Sequence, residues 1–218
     1  MRCLVTAGPT YEPLDAVRRL TNFSTGRLGT ELADFLTAKG HETTLLLGEQ
    51  ATWRGEPRAT KVERFSTTVD LRARLQARID SPPDAIFHAA AVSDYAFGKV
   101  YSQSASGNLT ELRAGKISTR EGRLLAELVP TPKILRELRG WFPRAIVVGW
   151  KYEVDGRRAE AVARGETQIG ECRTDACVVN GPAYGPGFGL LLSQSDLRHT
   201  SNPAELFAAL EKQIRATA

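Results

Sequence analysis

Cysteine is scarce in this chain of 218 residues, limited to Cys3, Cys172 and Cys177. An odd and sparse set argues against a disulfide framework and fits a reducing compartment. Cys172 and Cys177 have neither C-x-x-C spacing nor a neighbouring histidine, which argues against a zinc site. Long apolar runs are missing as well. The longest uncharged stretch, 176–195, is broken by Gly181, Pro182, Gly185, Pro186, Gly187 and Gly189, so a continuous spanning helix is excluded. The opening Met1 to Thr6 turns polar too soon for the apolar core of a signal peptide. A soluble cytoplasmic protein is expected. Glycine (19) and proline (11) are too few and too scattered for a collagen-like or linker-dominated chain. There is no internal repeat and no concentration of positive charge. The net charge of +4 is spread along the sequence rather than gathered into a nucleic-acid-binding stripe, and it suits small anionic ligands better.

What is present is ordinary for a globule: 42% hydrophobic and 25% charged residues. At about 150 residues per domain the length allows one large domain or two very small ones. Cys3 to Ala7 reads as a first strand ending at Gly8-Pro9. Leu28, Leu32, Phe35 and Leu36 share one face of a helix that stops at Gly40. Strands follow at 43–47 and 61–65, then a helix carrying Val69, Leu71, Leu75 and Ile79. The continuous apolar run 85–92 is typical of a strand buried on both faces of a parallel sheet, and 145–149 and 175–179 repeat that signature. Asn202-Pro203-Ala204-Glu205 is a capping box with proline at the first helical position, opening a last helix. Alternating strands and helices predict an α/β fold with a doubly wound, Rossmann-like parallel sheet. The segment 93–131 interrupts the pattern. Its small polar run 102–108 and the alternation in 124–129 predict a mobile flap with a hairpin arm, inserted in a single domain spanning 1–218.

In an open parallel sheet, ligands bind beyond the carboxyl ends of the strands. Gly8-Pro9-Thr10, Ala89 to Asp94, Gly149-Trp150-Lys151 and Asn180-Gly181-Pro182 are all expected there. Each is an ordinary turn when taken singly, but small residues at all four positions let a ligand approach the backbone. His88, inside an apolar strand, reads as a satisfied core histidine. Tyr95 and Lys99 have the Tyr-x-x-x-Lys spacing of short-chain oxidoreductases, which makes an NAD(P)-dependent enzyme one alternative. Against it, the first strand leads into AGPTYEP, with prolines and a glutamate where a dinucleotide pyrophosphate needs glycines.

The stretch Thr6 to Gly29, TAGPTYEPLDAVRRLTNFSTGRLG, closely resembles the opening signature of phosphopantothenate–cysteine ligases, also called phosphopantothenoylcysteine synthetases. Ala89 to Tyr95, Gly115-Lys116-Ile117, Pro130 to Ile134 and Val148-Gly149-Trp150 continue the resemblance in the family's order, to about residue 190. The chain is similar to the free-standing form, without a flavin decarboxylase domain, so no flavin is implied. The family activates the carboxylate of 4′-phosphopantothenate as an acyl-nucleotidylate, using CTP in most bacteria and ATP in eukaryotes, with release of pyrophosphate. The amine of cysteine then displaces the nucleotide and an amide forms. Groups around the α-phosphate are all anionic, so cations are needed, and Mg2+ is expected on the phosphates, held mainly by phosphate oxygens and water.

The resemblance implies roles residue by residue. Lys116 neutralises charge developing on the α-phosphate, and Asn22 contacts the acyl carbonyl; these are the catalytic candidates. Gly8, Arg18, Asn22, Ala90 and Ala91 belong to the substrate site, while the neighbouring Arg19 is expected to face solvent. Asp94 recognises the nucleotide, Pro132 and Ile134 wrap it, and Trp150 replaces a family phenylalanine near the base. The family's two triphosphate-binding lysines on the helix before the sixth strand are Gln168 and Cys172 here, leaving Lys151 as the substitute cation. The resemblance also implies a homodimer, no nucleic-acid partner and no membrane. A non-catalytic nucleotide-binding relative is the second alternative.

Overall fold

The structure, a computed structural model, describes residues 1–113, 115–118, 120, 122–193 and 196–217. The chain opens with β1 (Arg2–Ala7), a short hairpin of β2 (Tyr11–Pro13) and β3 (Arg19–Thr21), and α1 (Arg27–Ala38). Then come β4 (Glu42–Gly48), β5 (Lys61–Phe65), α2 (Thr68–Gln76) and β6 (Ala85–His88). An arm of β7 (Tyr95–Gln103), β8 (Leu109–Leu112) and β9 (Arg123–Pro130) precedes α3 (Ile134–Trp141). The last elements are β10 (Ile146–Tyr152), α4 (Arg158–Cys172), β11 (Ala176–Asn180), β12 (Phe188–Ser193), β13 (Asp196–Thr200) and α5 (Pro203–Thr217).

The main sheet has eight strands in the order β13-β12-β11-β10-β6-β1-β4-β5. The strands from β11 to β5 run parallel, and their chain order is the 3-2-1-4-5-6 of a Rossmann-like sheet. The winding reverses between β1 and β6, so the ligand crevice of such a sheet falls there. β12 and β13 extend the sheet antiparallel, an addition the sequence reading did not foresee.

Strand alternation divides the core between the faces. Val5, Leu45, Phe87, Val148 and Val178 face α1 and α5, which contribute Leu32, Leu36, Leu206, Leu210 and Ile214. Leu4, Leu46, Ile86 and Val147 face the other way, under Leu71 and Leu75 of α2 and Ile134 and Leu138 of α3. α4 joins this second face through Ala161, over Cys177 and Val179. Leu36 is fully buried, and truncating such a leucine costs about 2–5 kcal/mol. Gly29 lets α1 lie close to β1, since a Cβ there would come within 2.6 Å of the Ala7 Cβ.

The interrupted segment is a three-stranded antiparallel sheet in the order β8-β7-β9, one strand more than a hairpin. The polar run expected to be a loose loop makes the β7–β8 turn, where Gly107 takes φ +86° and its N–H donates to the Ser104 carbonyl at 2.9 Å. No described helix is long and apolar enough to cross a membrane.

Candidate active site

β1 and β6 both end at the reversal point, and the loops beyond them are joined to each other by main-chain bonds. Ala89 N–H donates to the Thr6 carbonyl (3.1 Å), Ala91 N–H to Gly8 (2.9 Å), and Thr10 N–H to Ala91 (3.1 Å). The Asn22 side-chain amide donates to the same Ala91 carbonyl at 3.0 Å. Gly8 is buried at φ +78°, a conformation that a side chain would strain. The result is a floor of small residues over which backbone groups are already paired.

Above this floor opens a cleft of about 990 Å3. Gly8, Asn22, Ala90, Ala91, Asp94, Pro132, Ile134, Trp150 and Lys151 all line it. The start of α1 lines it too; Gly26 caps this helix without a side-chain bond and the first turn holds no acidic residue, so its N–H groups favour an anion. Trp150 and Lys151 lie inside β10, not beyond it as expected, because pairing with β11 continues to Tyr152 and Asn180. Conversely β6 stops at His88, and the apolar residues 89–92 become cleft wall instead of strand.

Arg18 and Lys116 lie outside the cleft lining. The Arg18 guanidinium reaches Asp15 and the Ile117 carbonyl, while Lys116 is exposed. Arg19 is exposed, with its guanidinium 4.9 Å from the centre of the Tyr11 ring.

The electrostatics around the cleft are balanced by local pairs. Lys133, between the expected Pro132 and Ile134 but not singled out from sequence, forms an ion pair with Asp94. Both side chains are more than half exposed, so this pair contributes little and an incoming ligand can exchange it. Glu153 is shared by Lys151, at 3.4 Å, and Arg164. Gln168 fills the space over Gly149 and donates to the Cys177 sulfur at 3.2 Å. Cys172 has no cationic form, and burial pushes its thiol up, so that position supplies neither the missing positive charge nor a ready thiolate. Phe23, next to Asn22, is fully exposed at the cleft; it lies inside the Thr6 to Gly29 signature but was given no role from sequence. Trp150 Nε1 and Asn180 Oδ1, on two residues of the cleft lining, are buried without a hydrogen-bond partner among the described residues.

His88 is buried in the wall, and desolvation lowers its pKa to about 4. Thr6 Oγ1 accepts from Ala90 N–H at 3.2 Å and is hydrogen-bonded to His88 Nδ1 at 2.9 Å. A neutral imidazole satisfies that chain in either tautomer, as a structural histidine does.

Tyr95 and Lys99 sit on β7, in extended backbone. Four residues of strand span about 13 Å, whereas the oxidoreductase pair needs one helical turn to bring lysine beside tyrosine. The Lys99 ammonium lies instead 3.8 Å from Glu111. The Tyr-x-x-x-Lys spacing is therefore coincidental.

Comparison with known proteins agrees with this architecture. A coenzyme A biosynthesis bifunctional protein CoaBC from Thermococcus kodakarensis is 28% identical over 181 residues, 82% of this chain and 41% of that protein. A cysteine/cysteine sulfinic acid decarboxylase from an unknown prokaryotic organism is 29% identical over 211 residues, 94% of this chain and 53% of that one. The chain thus spans about half the length of these curated relatives, or less. The crystal structure of a DNA/pantothenate metabolism flavoprotein from Streptococcus pneumoniae superposes with a TM-score of 0.87 at 26% identity, covering 100% of both chains. The model of the DNA/pantothenate metabolism flavoprotein C-terminal domain matches residues 1–217, and the chain belongs to that family.

Proposed function

We propose that the protein is a phosphopantothenate–cysteine ligase of coenzyme A biosynthesis. The observation that carries this reading is the cleft at the β1–β6 reversal, where Asn22, Ala90, Ala91 and Asp94 line one small-residue wall. In the proposed reaction the 4′-phosphopantothenate carboxylate attacks the α-phosphate of a nucleoside triphosphate. Pyrophosphate leaves, taking the electron pair of the broken phosphoanhydride bond. The cysteine amine then attacks the acyl carbon, loses a proton, and the nucleoside monophosphate departs.

The wall admits the acyl-phosphate because alanine and glycine leave backbone room. Asn22 Nδ2 serves as the donor to the acyl carbonyl in this reading, and its bond to Ala91 fixes the orientation of the amide. Lys116 offsets charge on the α-phosphate, and the α1 N-terminus with Lys151 takes the remaining phosphates. CTP is the proposed nucleotide, its base between Trp150 and Asp94. Mg2+ fits as a passenger of the triphosphate, screening its charge when bound. The described residues contain no group of three His, Cys, Asp or Glu able to hold a metal, while the cleft offers Asp94 and Glu171 singly. A homodimer suits the apolar residues left exposed on the arm, among them Tyr95, Leu128 and Val129. A cytoplasmic location suits three free, buried cysteines.

The test is direct. The protein is incubated with 4′-phosphopantothenate, cysteine, magnesium and each nucleoside triphosphate, and pyrophosphate and amide are measured. Pyrophosphate release that requires 4′-phosphopantothenate, fastest with CTP, is the expected result. Nucleotide binding without release under any condition would establish the non-catalytic alternative, and faster turnover with ATP would overturn the choice of base.

A further inference from the structure

The turn joining β2 to β3 holds a carboxylate with more partners than a turn requires. The Asp15 side chain is 1% exposed. Its Oδ1 accepts from Val17 N–H (3.0 Å) and Arg18 N–H (2.8 Å), the bonds of an ordinary Asx turn. Its Oδ2 faces elsewhere, accepting from the Arg18 guanidinium, with Nε at 3.1 Å, and from Ile117 N–H at 3.2 Å. Arg18 Nη2 in turn donates to the Ile117 carbonyl at 2.8 Å, and Ala16 N–H to the Gly115 carbonyl at 2.9 Å.

These bonds converge on the residues either side of Lys116. Ile117 is gripped at both its N–H and its carbonyl, and the residue is 5% exposed, while Lys116 itself is exposed. The same hairpin continues through β3 to Asn22, whose amide is tied to the cleft wall. A turn alone needs only Oδ1. Burying a carboxylate and pointing its second oxygen 102 residues along the chain is a costly way to make one.

We propose that Asp15 is a positioning residue: with Arg18 it clamps the backbone around Lys116 and couples that lysine to the hairpin carrying Asn22. What Lys116 does once held rests on the ligase reading; the clamp itself does not. Asp15→Asn separates turn from clamp, because an amide can keep Oδ1 in the turn while placing N–H groups against Ile117 N–H and Arg18. Arg18→Lys keeps the charge but loses the planar fork that reaches Ile117.

Two measurements decide the matter. Hydrogen exchange at the Ile117 amide, with trypsin cleavage after Lys116, should accelerate about tenfold or more in both variants, and by more than the accompanying drop in global stability at neutral pH accounts for. In turnover, Asp15→Asn should lower kcat for pyrophosphate release about tenfold with KM within about twofold, as misplacement of a reacting group does. Added to Lys116→Gln, it should cost less than about twofold further, because both act on one element. Unchanged exchange in both variants, or a loss that adds in full to that of Lys116→Gln, overturns the proposal. A wild-type protein inert toward every triphosphate overturns the ligase reading instead, and exchange at Ile117 then judges the clamp alone.

Discussion

The loops after β1 and β6 are held to one another by main-chain hydrogen bonds among Thr6, Gly8, Thr10, Ala89 and Ala91, whereas the segment around Lys116 is held chiefly through the side chains of Asp15 and Arg18. The first region needs almost no side chains: alanine and glycine suffice, and the parallel strands set the geometry. The second depends on one half-buried ion pair contributed from about a hundred residues away in sequence. Main-chain pairing makes the wall hard to disturb by a single substitution. Side-chain pairing makes the lysine segment easy to release, and it places the cation outside the preformed cleft.

The sharpest way to break this comparison is to remove the cation. Lys116→Gln should lower acyl-nucleotidylate formation by roughly two to three orders of magnitude, as loss of one preorganised electrostatic donor does. The thermal midpoint should hold, since an exposed lysine contributes nothing to the core. Near-wild-type pyrophosphate release would remove Lys116 from the reaction.

Acid should act next most strongly, and on the wall. His88 titrates near 6.5 when unfolded and at about 4 when folded, so between those values the unfolded chain binds the extra proton. Stability is therefore complete above about pH 6.5 and declines as pH falls toward 4, by roughly 3 kcal/mol for a shift of this size. Arg18 holds the Asp15 carboxyl far below its ordinary range, so the clamp adds a second loss only below about pH 4. Urea unfolding across this range should have a steeper acid limb in wild type than in His88→Asn. Identical limbs would mean that His88 carries a proton in the fold.

Asn22→Asp probes the junction between the two regions. It replaces a donor with a charge that faces the Ala91 carbonyl and, on the proposed reading, the acyl carbonyl as well. Amide formation should fall about a hundredfold while the nucleotidylate still forms and accumulates, because negative charge builds on that carbonyl during cysteine attack. Equal loss in both half-reactions, followed by rapid quench, would make Asn22 a binding residue only.

The smallest effect is expected at Lys151. It shares Glu153 with Arg164, so its removal leaves one cation beside that carboxylate. Lys151→Ala should raise the nucleotide KM several-fold and change kcat less, the behaviour of a contact equally strong before and during reaction. An unchanged KM would exclude Lys151 from phosphate binding.

Much of the sheet was legible because period and breakers agree. Lys61–Phe65 is a strand over the residues expected, and the Asn202–Glu205 box caps α5 as written, with Glu205 N–H donating to Asn202 Oδ1 at 3.0 Å. The misreadings share a cause: apolar character records burial, not backbone conformation. Ala89 to Val92 look like strand but line the cleft, and Phe188–Ser193, set in a stretch rich in glycine and proline, is an antiparallel strand. The arm was legible from the alternation in 124–129, but only as a hairpin; its third strand, Leu109–Leu112, buries no residue fully and so has little core to report. Within the site, the wall residues were legible as a run of small side chains. Lys133 was not, because its bond to Asp94 spans 39 positions, and neither was Asp15, whose reach to Ile117 no local pattern encodes.

The buried cysteines bear on the chemistry of the proposed co-substrate, itself a thiol. Burial pushes the pKa of Cys3 to about 11 and that of Cys177 to about 12. Only a thiolate attacks a disulfide, and these groups stay protonated and out of reach at neutral pH. Cystine formed as free cysteine oxidises in the working solution would find no partner for exchange in these two side chains, so neither would be capped by the proposed amino-acid co-substrate.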